Sequence, residues 1–378
     1  MRDRLVGLAS LKNENGDDVV APADDGECVP AMPREEYYRD VSRAERFIPA
    51  RAWPVILKRL LVELVYRGLL DRGATLAFYS LLTGVPTLMA FYSISTLVLD
   101  QNREKVTQIT DEFITRNVPT TFIEQARSII DMIIGSTQQS VVSLVISVLI
   151  ALFSSSAYVR AFSRSANALY GRHEGRNLIH TWLTMWGLTI VLVLGLVGIA
   201  GGFFLREDLV EPFLNNVAGP LRLEEEARFL LEQFLPVWAY VRWPVIIVLS
   251  VMLVAVLYHF APNVHYGRVR WLTTGSSVAL IGVTIVAIGV QIYVNNFAHL
   301  GMYGALGGVI GVFMGLLFAN TLLLAGLKLD AEVTRVRELQ AGLDSAQLIR
   351  VPPRSSATAD KNRTVLQRMI RDVSRFKP

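Results

Sequence analysis

The sequence contains one cysteine, Cys28, in 378 residues, so the chain cannot form an intramolecular disulfide bond. It also lacks a P-loop of the GxxxxGK[ST] type, which excludes that route to nucleotide-driven transport. Charged residues are scarce: they make up 19% of the chain, against 52% hydrophobic residues, and the mean hydropathy is +0.39. These values lie beyond those of an ordinary soluble domain. The composition therefore predicts a membrane protein.

Six apolar stretches, each long enough to cross a bilayer as a helix, occupy most of the chain between residues 74 and 327. No ionisable side chain lies in the interior of any of them. Their sequences do not alternate polar and apolar residues, which favours helices over barrel strands. We therefore predict an all-α polytopic membrane protein with helical caps outside the membrane and six transmembrane helices, at about 74–99, 140–159, 181–205, 241–260, 271–297 and 303–327.

Basic residues next to the predicted spans give the orientation. They precede span one, connect spans two and three and spans four and five, and follow span six. The opposite loops are more acidic: residues 100–139 contain four basic and six acidic residues, and residues 206–240 contain three basic and seven acidic residues. Both termini are therefore predicted to face the cytoplasm.

Outside the spans, the sequence divides into two tails and a membrane domain. Residues 1–50 are polar, and we expect them to be largely disordered, although one or two helices are expected between residues 34 and 72, at the membrane surface or against the bundle. Residues 51–335 form the six-span membrane domain. Residues 336–378 form a cytoplasmic tail with a basic amphipathic helix, a pattern suited to an anionic membrane surface.

A strip of glycines in the sixth span is the clearest helix-packing signal. Such a strip lets another helix approach closely. The partner helix belongs either to the same chain or to a second protomer of a homo-oligomer, and the sequence leaves both open. The strip comprises Gly304, Gly307, Gly308, Gly311 and Gly315.

Polar residues and one proline interrupt the apolar spans. Pro86 removes a backbone hydrogen bond from span one, which predicts either a hinge or a static bend. The polar side chains either form hydrogen bonds between helices or line a narrow polar groove; they are Tyr79, Ser80, Gln291, Asn295, Asn296 and Asn320.

Four segments carry a family resemblance: GATLAFYSLLTGVPTLMAFYSIS (73–95), SRSANALYGRHEGRN (163–177), YHFAPNVHYGRVRWLTTGS (258–276) and YVNNFAHLGMYGALGGVIGVFMGLLFANTLLLAGLKLDAEV (293–333). In this order they resemble the YihY/BrkB family, formerly mislabelled ribonuclease BN, over roughly residues 50–335. The resemblance implies six spans and a place in the bacterial inner membrane. It also implies an association with virulence and with transport of envelope lipids.

An enzymatic function is not expected from these residues. A ribonuclease of the metal-dependent kind needs clustered histidines and carboxylates that face water. The sequence does not group its histidines in this way; they are His173, His180, His259, His265 and His299. We therefore predict no catalytic residues, no metal, no cofactor and no nucleic-acid partner.

The main hypothesis is a protein that handles or translocates an amphipathic, phospholipid-like substrate without nucleotide hydrolysis, with membrane lipids as its partners. Arginines and hydrogen-bonding groups at the predicted cytoplasmic span ends supply the candidate head-group site. The same arginines are also what the orientation of the spans requires. The candidates are Arg160, Arg164, Asn167, Tyr170, Asn263, Arg268 and Arg270.

Two other classes of function stay open. One is a membrane scaffold or assembly protein that uses the glycine strip and transports nothing. The other is an ion-coupled transporter of small solutes, which the absence of ionisable residues inside the spans disfavours because such residues normally form the coupling sites.

Overall fold

The structure of the protein is a computed structural model, which describes part of the chain. The described part comprises residues 19–20, 29–30, 33–42, 47–98, 111, 114–115, 123–124, 127–128, 141–172, 174–205, 210, 228–267, 269–297, 304–355, 358, 365, 368–369, 371–373 and 375–376. Side chains are described throughout these ranges except at 19–20, 29–30, 85–98, 141–147, 151, 204, 294–297 and 304–309. The predicted outer caps lie mostly outside the described residues.

Helices form most of the described structure. The α-helices are α1 (Arg34–Ser42), α2 (Trp53–Tyr66), α3 (Leu69–Val98), α4 (Val141–Leu169), α5 (Leu178–Phe204), α6 (Leu235–Phe260), α7 (Thr274–Phe297) and α8 (Gly304–Gln340). A 3-10 turn, Ala50–Ala52, precedes α2, and a π-helical turn, Leu230–Phe234, leads into α6. Strands β1 (Val19–Val20) and β2 (Val29–Pro30) pair antiparallel.

Local sequence explains several helix starts. Pro54 stands at the beginning of α2 and Pro236 at the beginning of α6, where a missing backbone N–H costs little. Asn177 caps α5, its side-chain oxygen accepting a hydrogen bond from the backbone nitrogen of Leu178 at 2.9 Å. The helices expected between residues 34 and 72 are present as α1 and α2.

Four helical segments among the described residues are long and apolar enough to cross a membrane: 178–203, 230–260, 274–293 and 310–340. They correspond to the last four predicted spans. The first two predicted spans coincide with α3 and α4, which have 30 and 29 residues. The number of six crossings and the orientation of the termini therefore stay predictions, whereas the helical membrane-protein class is confirmed.

The buried core is concentrated at one end of the helix bundle. Its members include Leu76 of α3, Phe162 of α4, Ala279 of α7 and Leu327 of α8, all at most 1% exposed. Farther along the helices, large apolar side chains such as Leu194 point outward, 64% exposed. This distribution suits a bundle whose remaining surface is in contact with lipid, since lipid tails are as apolar as the side chains.

The segment that follows α8, residues 341–355, folds back across this end of the bundle, and we call it the strap. A backbone bridge joins it to Val264. The Arg172 guanidinium is buried and donates to two strap carbonyl groups, those of Ile349 at 2.7 Å and Val351 at 2.5 Å. Burial lowers the pKa of Arg172 to about 10, so the group stays charged at neutral pH. The end of the bundle that carries the strap is called the strap end below.

A buried cluster of charges ties α2 and the strap to α8. The Lys328 ammonium lies 3.1 Å from a carboxylate oxygen of Glu63 in α2 and 3.0 Å from one of Glu332. Arg335 donates to Glu332 at 2.9 Å and to the carbonyl of Ser345 in the strap at 2.7 Å. All four charged side chains belong to residues at most 9% exposed. Each buried charge therefore has a close partner of opposite sign, as burial requires.

Helices α7 and α8 pack along each other more extensively than any other pair of described elements. A Cβ atom on Gly326 would lie 2.4 Å from the carbonyl oxygen of Gly275, and one on Gly275 would lie 2.0 Å from that of Gly326. The obstacle in both cases is backbone, which cannot rotate away. Only glycine fits at these two positions.

We predict that Gly326→Ala destabilises the protein by about 1–3 kcal/mol, because the added methyl group forces α7 and α8 apart. The measurement is the apparent melting temperature of the purified protein in detergent, which should fall. The matched control is Gly289→Ala on α7, where a Cβ atom meets no atom within 4 Å. Equal melting temperatures for the two variants would contradict this account of the helix contact.

Candidate functional site

A pocket of about 580 Å³ lies at the strap end, between the adjacent ends of α6, α7 and α8. Residues from five separate segments line it, so it exists only when the helices are assembled. Its polar and charged lining residues are Ser42, Tyr170, Tyr258, His259, Tyr266, Arg270, Thr273, Thr274, Asp330, Thr334 and Arg337, and its apolar ones are Val41, Ala255, Leu272, Leu327 and Val333.

Asp330, on one wall of the pocket, caps the first turn of α7. The Thr273 hydroxyl donates to one of its carboxylate oxygens, and the backbone nitrogen of Gly275 donates to the other at 2.8 Å. The positive end of a helix stabilises a carboxylate in this position. Each oxygen of the acid is thus engaged by the fold.

The two pocket arginines have no comparable partner. Arg270 is exposed in the loop before α7, and Arg337 is half-buried on α8. Among the described carboxylates, none lies within the 4.0 Å ion-pair distance of either guanidinium. The Nε atom of Arg337 is buried and has no hydrogen-bond partner within the described part of the chain. Asp330 attracts both arginines over a longer distance, but no described carboxylate forms an ion pair with their guanidinium groups, which can therefore bind a ligand.

Tyrosines form the deeper part of the pocket. The rings of Tyr170 and Tyr266 meet edge to face, with centroids 6.1 Å apart, and the Tyr258 hydroxyl donates to the backbone carbonyl of Leu323 in α8. Burial, followed by the nearby Tyr266, raises the pKa of Tyr170 well above its usual range. The Tyr170 phenol is therefore neutral at physiological pH and can donate a hydrogen bond.

One side of the pocket is formed by α1, which contributes Val41 and Ser42. Hydrogen bonds to three other segments hold this helix. The buried Tyr37 hydroxyl donates to Glu338 of α8 at 2.8 Å, and the Tyr38 hydroxyl lies 2.9 Å from Nδ1 of His265. Arg34 donates to strap carbonyl groups at 2.8 and 3.1 Å.

Exposed apolar side chains stand next to the pocket. Leu272, which lines it, is 64% exposed, and the preceding Trp271 is 54% exposed. Tryptophan in such a position is typical of the boundary between the membrane and water. The pocket thus combines unpaired positive charge with an adjoining apolar surface, an arrangement that fits an amphipathic anion.

Of the head-group candidates from the sequence, Tyr170 and Arg270 line this pocket. Arg160 lies elsewhere, with its guanidinium 5.7 Å from the Phe153 ring centre and 5.6 Å from that of Trp182. Arg164 is exposed on α4 and is not among the lining residues. Arg268 lies outside the described residues.

The two asparagine candidates are buried, and Asn263 holds the strap directly. The Asn167 side-chain oxygen accepts from the backbone nitrogen of Asn263 at 2.6 Å, while its amide nitrogen donates to Glu174 at 3.0 Å. The Asn263 side chain donates to the carbonyl of Ser355 at 2.9 Å and accepts from the nitrogen of the same residue at 3.2 Å. These amides connect protein segments with each other, outside the pocket.

The candidate polar residues inside the spans whose side chains are described do not share one site. Asn320 joins three helices: it accepts from the Tyr158 hydroxyl at 2.9 Å and donates to Ser80 at 3.3 Å and to the carbonyl of Leu316 at 2.8 Å. Tyr79 packs against the core, and Gln291 is exposed. The side chains of Pro86, Asn295 and Asn296 lie outside the described residues.

Part of the glycine strip packs within the chain. A Cβ atom on Gly311 would lie 2.5 Å from the ring of Tyr293, and one on Gly315 would lie 2.5 Å from Val290, both on α7. The side-chain surroundings of Gly304, Gly307 and Gly308 lie outside the described residues. For the two described glycines, the neighbouring helix is therefore α7 of the same chain.

Sequence reasoning missed Asp330 and Arg337 as pocket residues. In the sequence, Arg337 is interpreted only as one of the basic residues that orient the spans. Asp330 is noted only as part of the segment 293–333 that resembles the family. A usable signal was their spacing of seven residues, which places both on one face of a helix that continues past residue 327. Structure was needed to show that α8 extends to Gln340.

Comparisons with known proteins agree with the resemblance. A family model described as Virulence factor BrkB matches residues 61–348. A Bacillus subtilis (strain 168) protein named as ribonuclease-like, YfkH, is 27% identical over 270 residues, covering 71% of this chain and 91% of the relative. No solved structure matches the chain significantly. Among the described residues, no group of three or more His, Cys, Asp and Glu side chains is arranged to hold a metal ion.

We predict that Asn263→Leu loosens the strap, because each lost hydrogen bond is worth roughly 1 kcal/mol, and about 1.4 kcal/mol corresponds to a tenfold population change. Tryptic cleavage after Arg350 and Arg354, followed by mass spectrometry, should become about tenfold faster. Arg164→Lys is the control, since it keeps both the charge and the tryptic site at an exposed position. Unchanged cleavage of the strap in Asn263→Leu would show that these hydrogen bonds do not hold it.

Proposed function

The chain belongs to the virulence factor BrkB family of membrane proteins, and from that premise we propose that it handles or translocates an amphipathic, phospholipid-like substrate. The pocket at the strap end receives the polar head group. The acyl chains extend from the pocket along the apolar surface next to Leu272. No nucleotide hydrolysis is part of this proposal.

One observation carries the proposal: Arg270 and Arg337 line the same pocket without a described carboxylate within ion-pair distance. Guanidinium groups bind phosphate through charge-assisted hydrogen bonds that are about twice as strong as neutral ones. Such cations in a half-enclosed pocket favour a bound anion. The exposed Trp271 and Leu272 beside them favour an anion with an apolar part.

The hydrogen bonds inside the spans support a head-group site at the end of the bundle. The Asn320 side chain is occupied by contacts between helices, with Tyr158 and Ser80 as its partners. Polar groups used in this way stabilise the packing of membrane helices. The pocket contains the guanidinium groups of Arg270 and Arg337, whereas Asn320, Tyr158 and Ser80 carry no charge, and Asn320 forms hydrogen bonds with the other two.

The scaffold and the ion-coupled transporter remain alternatives that the same experiments address. A scaffold would use the glycine strip for a second protein, but Gly311 and Gly315 already face α7 of the same chain. An ion-coupled transporter would move a soluble solute and leave the distribution of lipids unchanged. Lipid movement is therefore the property that separates the lipid-handling class from the other two.

We predict that the purified protein in liposomes accelerates the exchange of a fluorescent phospholipid between the leaflets, measured by quenching of the accessible label with a membrane-impermeant reductant. Arg270→Gln and Arg337→Gln should each slow this exchange about tenfold or more, because a hydrogen bond to a charged group contributes about 1.5–3 kcal/mol. Arg164→Gln removes an exposed arginine outside the pocket and should leave the rate unchanged.

Exchange no faster than in protein-free liposomes would show that the proposed activity is wrong. In that case, a specific complex lost in Gly311→Leu would favour the scaffold. In another outcome, both pocket variants are folded, as judged by melting temperature, and exchange lipid at the normal rate. That result would show that the head group does not bind in this pocket, although lipid would still be the substrate class.

A further inference from the structure

We infer that the pocket selects phospholipids with a net negative head group over zwitterionic ones. This inference rests on the proposed function and specifies the substrate class of the same site. It follows from the charged residues of the pocket: Asp330 accepts hydrogen bonds from the protein, whereas Arg270 and Arg337 form no ion pair with a described carboxylate.

The acidic group of the pocket is already engaged. Asp330 is the only carboxylate among the described lining residues, and its two oxygens accept hydrogen bonds from Thr273 and from the backbone nitrogen of Gly275. Each oxygen could still accept one more hydrogen bond. The carboxylate, however, also interacts electrostatically with Arg270 and Arg337, and these two charges oppose an approaching ammonium group.

The basic groups are available, and they repel cations. Arg270 and Arg337 carry two positive charges against the single charge of Asp330, so the described lining is net positive when that acid is ionised and more so when it is protonated. The phosphate of any phospholipid can bind the guanidinium groups. A zwitterionic lipid also brings an ammonium group a few ångströms away, where like charges interact unfavourably.

The aromatic lining does not compensate for this repulsion. Cation–π binding needs an accessible ring face. The Tyr258 ring stacks on Phe162 with centroids 6.3 Å apart and an interplanar angle of 20°, and the Tyr170 ring meets the Tyr266 ring edge to face. Tyr266 also lies against the His259 ring, 6.0 Å away. These rings are largely engaged with one another instead of surrounding an open cage for an ammonium group.

The test compares three acyl-labelled probes at trace level in otherwise identical liposomes: phosphatidylglycerol, phosphatidylethanolamine and phosphatidylcholine. The full-length protein should move phosphatidylglycerol at least about tenfold faster than the other two. The double variant Arg270→Gln/Arg337→Gln should lose most of this preference. Arg164→Gln, which removes one exposed positive charge outside the pocket, should retain it.

Inorganic phosphate serves as a second probe, because a soluble phosphorylated compound shares the same chemistry. One outcome is that phosphate raises the melting temperature of the wild-type protein but not of the double variant, and that no lipid is moved. This outcome would overturn the lipid inference in favour of a soluble anion. Equal rates for the three lipids would overturn the charge preference and leave the proposed function intact. Movement of none of them would contradict the proposed function itself.

Discussion

The buried ion pairs of Lys328 are the contact on which the strap end depends. Its ammonium group lies between the carboxylates of Glu63 and Glu332, so it joins α2 to the part of α8 that continues beyond the apolar stretch. Removing one partner of a buried pair leaves an uncompensated charge, which is strongly destabilising. The same part of α8 carries Asp330 and Arg337 on the pocket wall. The pocket is therefore positioned by buried charges and not by apolar packing alone.

Sequence reasoning predicted the helices well because the signal for them is local. Each of the six apolar stretches coincides with one of the helices α3 to α8, although a crossing by all six stays a prediction. The sixth predicted span ends at residue 327, where Lys328 and Asp330 lower the hydropathy, whereas helix α8 continues to Gln340. These residues remain helical since their charges find partners in other segments: Glu63 for Lys328, and Thr273 with Gly275 for Asp330.

The site was less predictable because polar residues of the same kind serve different purposes. Asn263 and Arg270 both follow α6 and both looked suited to a head group. The structure buries Asn263 against the strap, where a hydrogen-bonding side chain satisfies backbone groups that would otherwise be costly to bury. Arg270 instead lines the pocket and is exposed. Only the fold of the strap, a segment about 90 residues away, separates the two roles.

The walls of the pocket are held in different ways. Arg270 precedes α7 and Arg337 lies on α8, and these two helices touch backbone to backbone at Gly275 and Gly326. The beginning of α7, which the loop residue Arg270 precedes, is therefore fixed against the helix that carries Arg337. The α1 wall is held differently, by side-chain hydrogen bonds such as that between Tyr38 and His265. Tyr37 of α1 also belongs to the buried core, so this wall combines apolar packing with hydrogen bonds, whereas the contact between α7 and α8 is one of backbone with backbone.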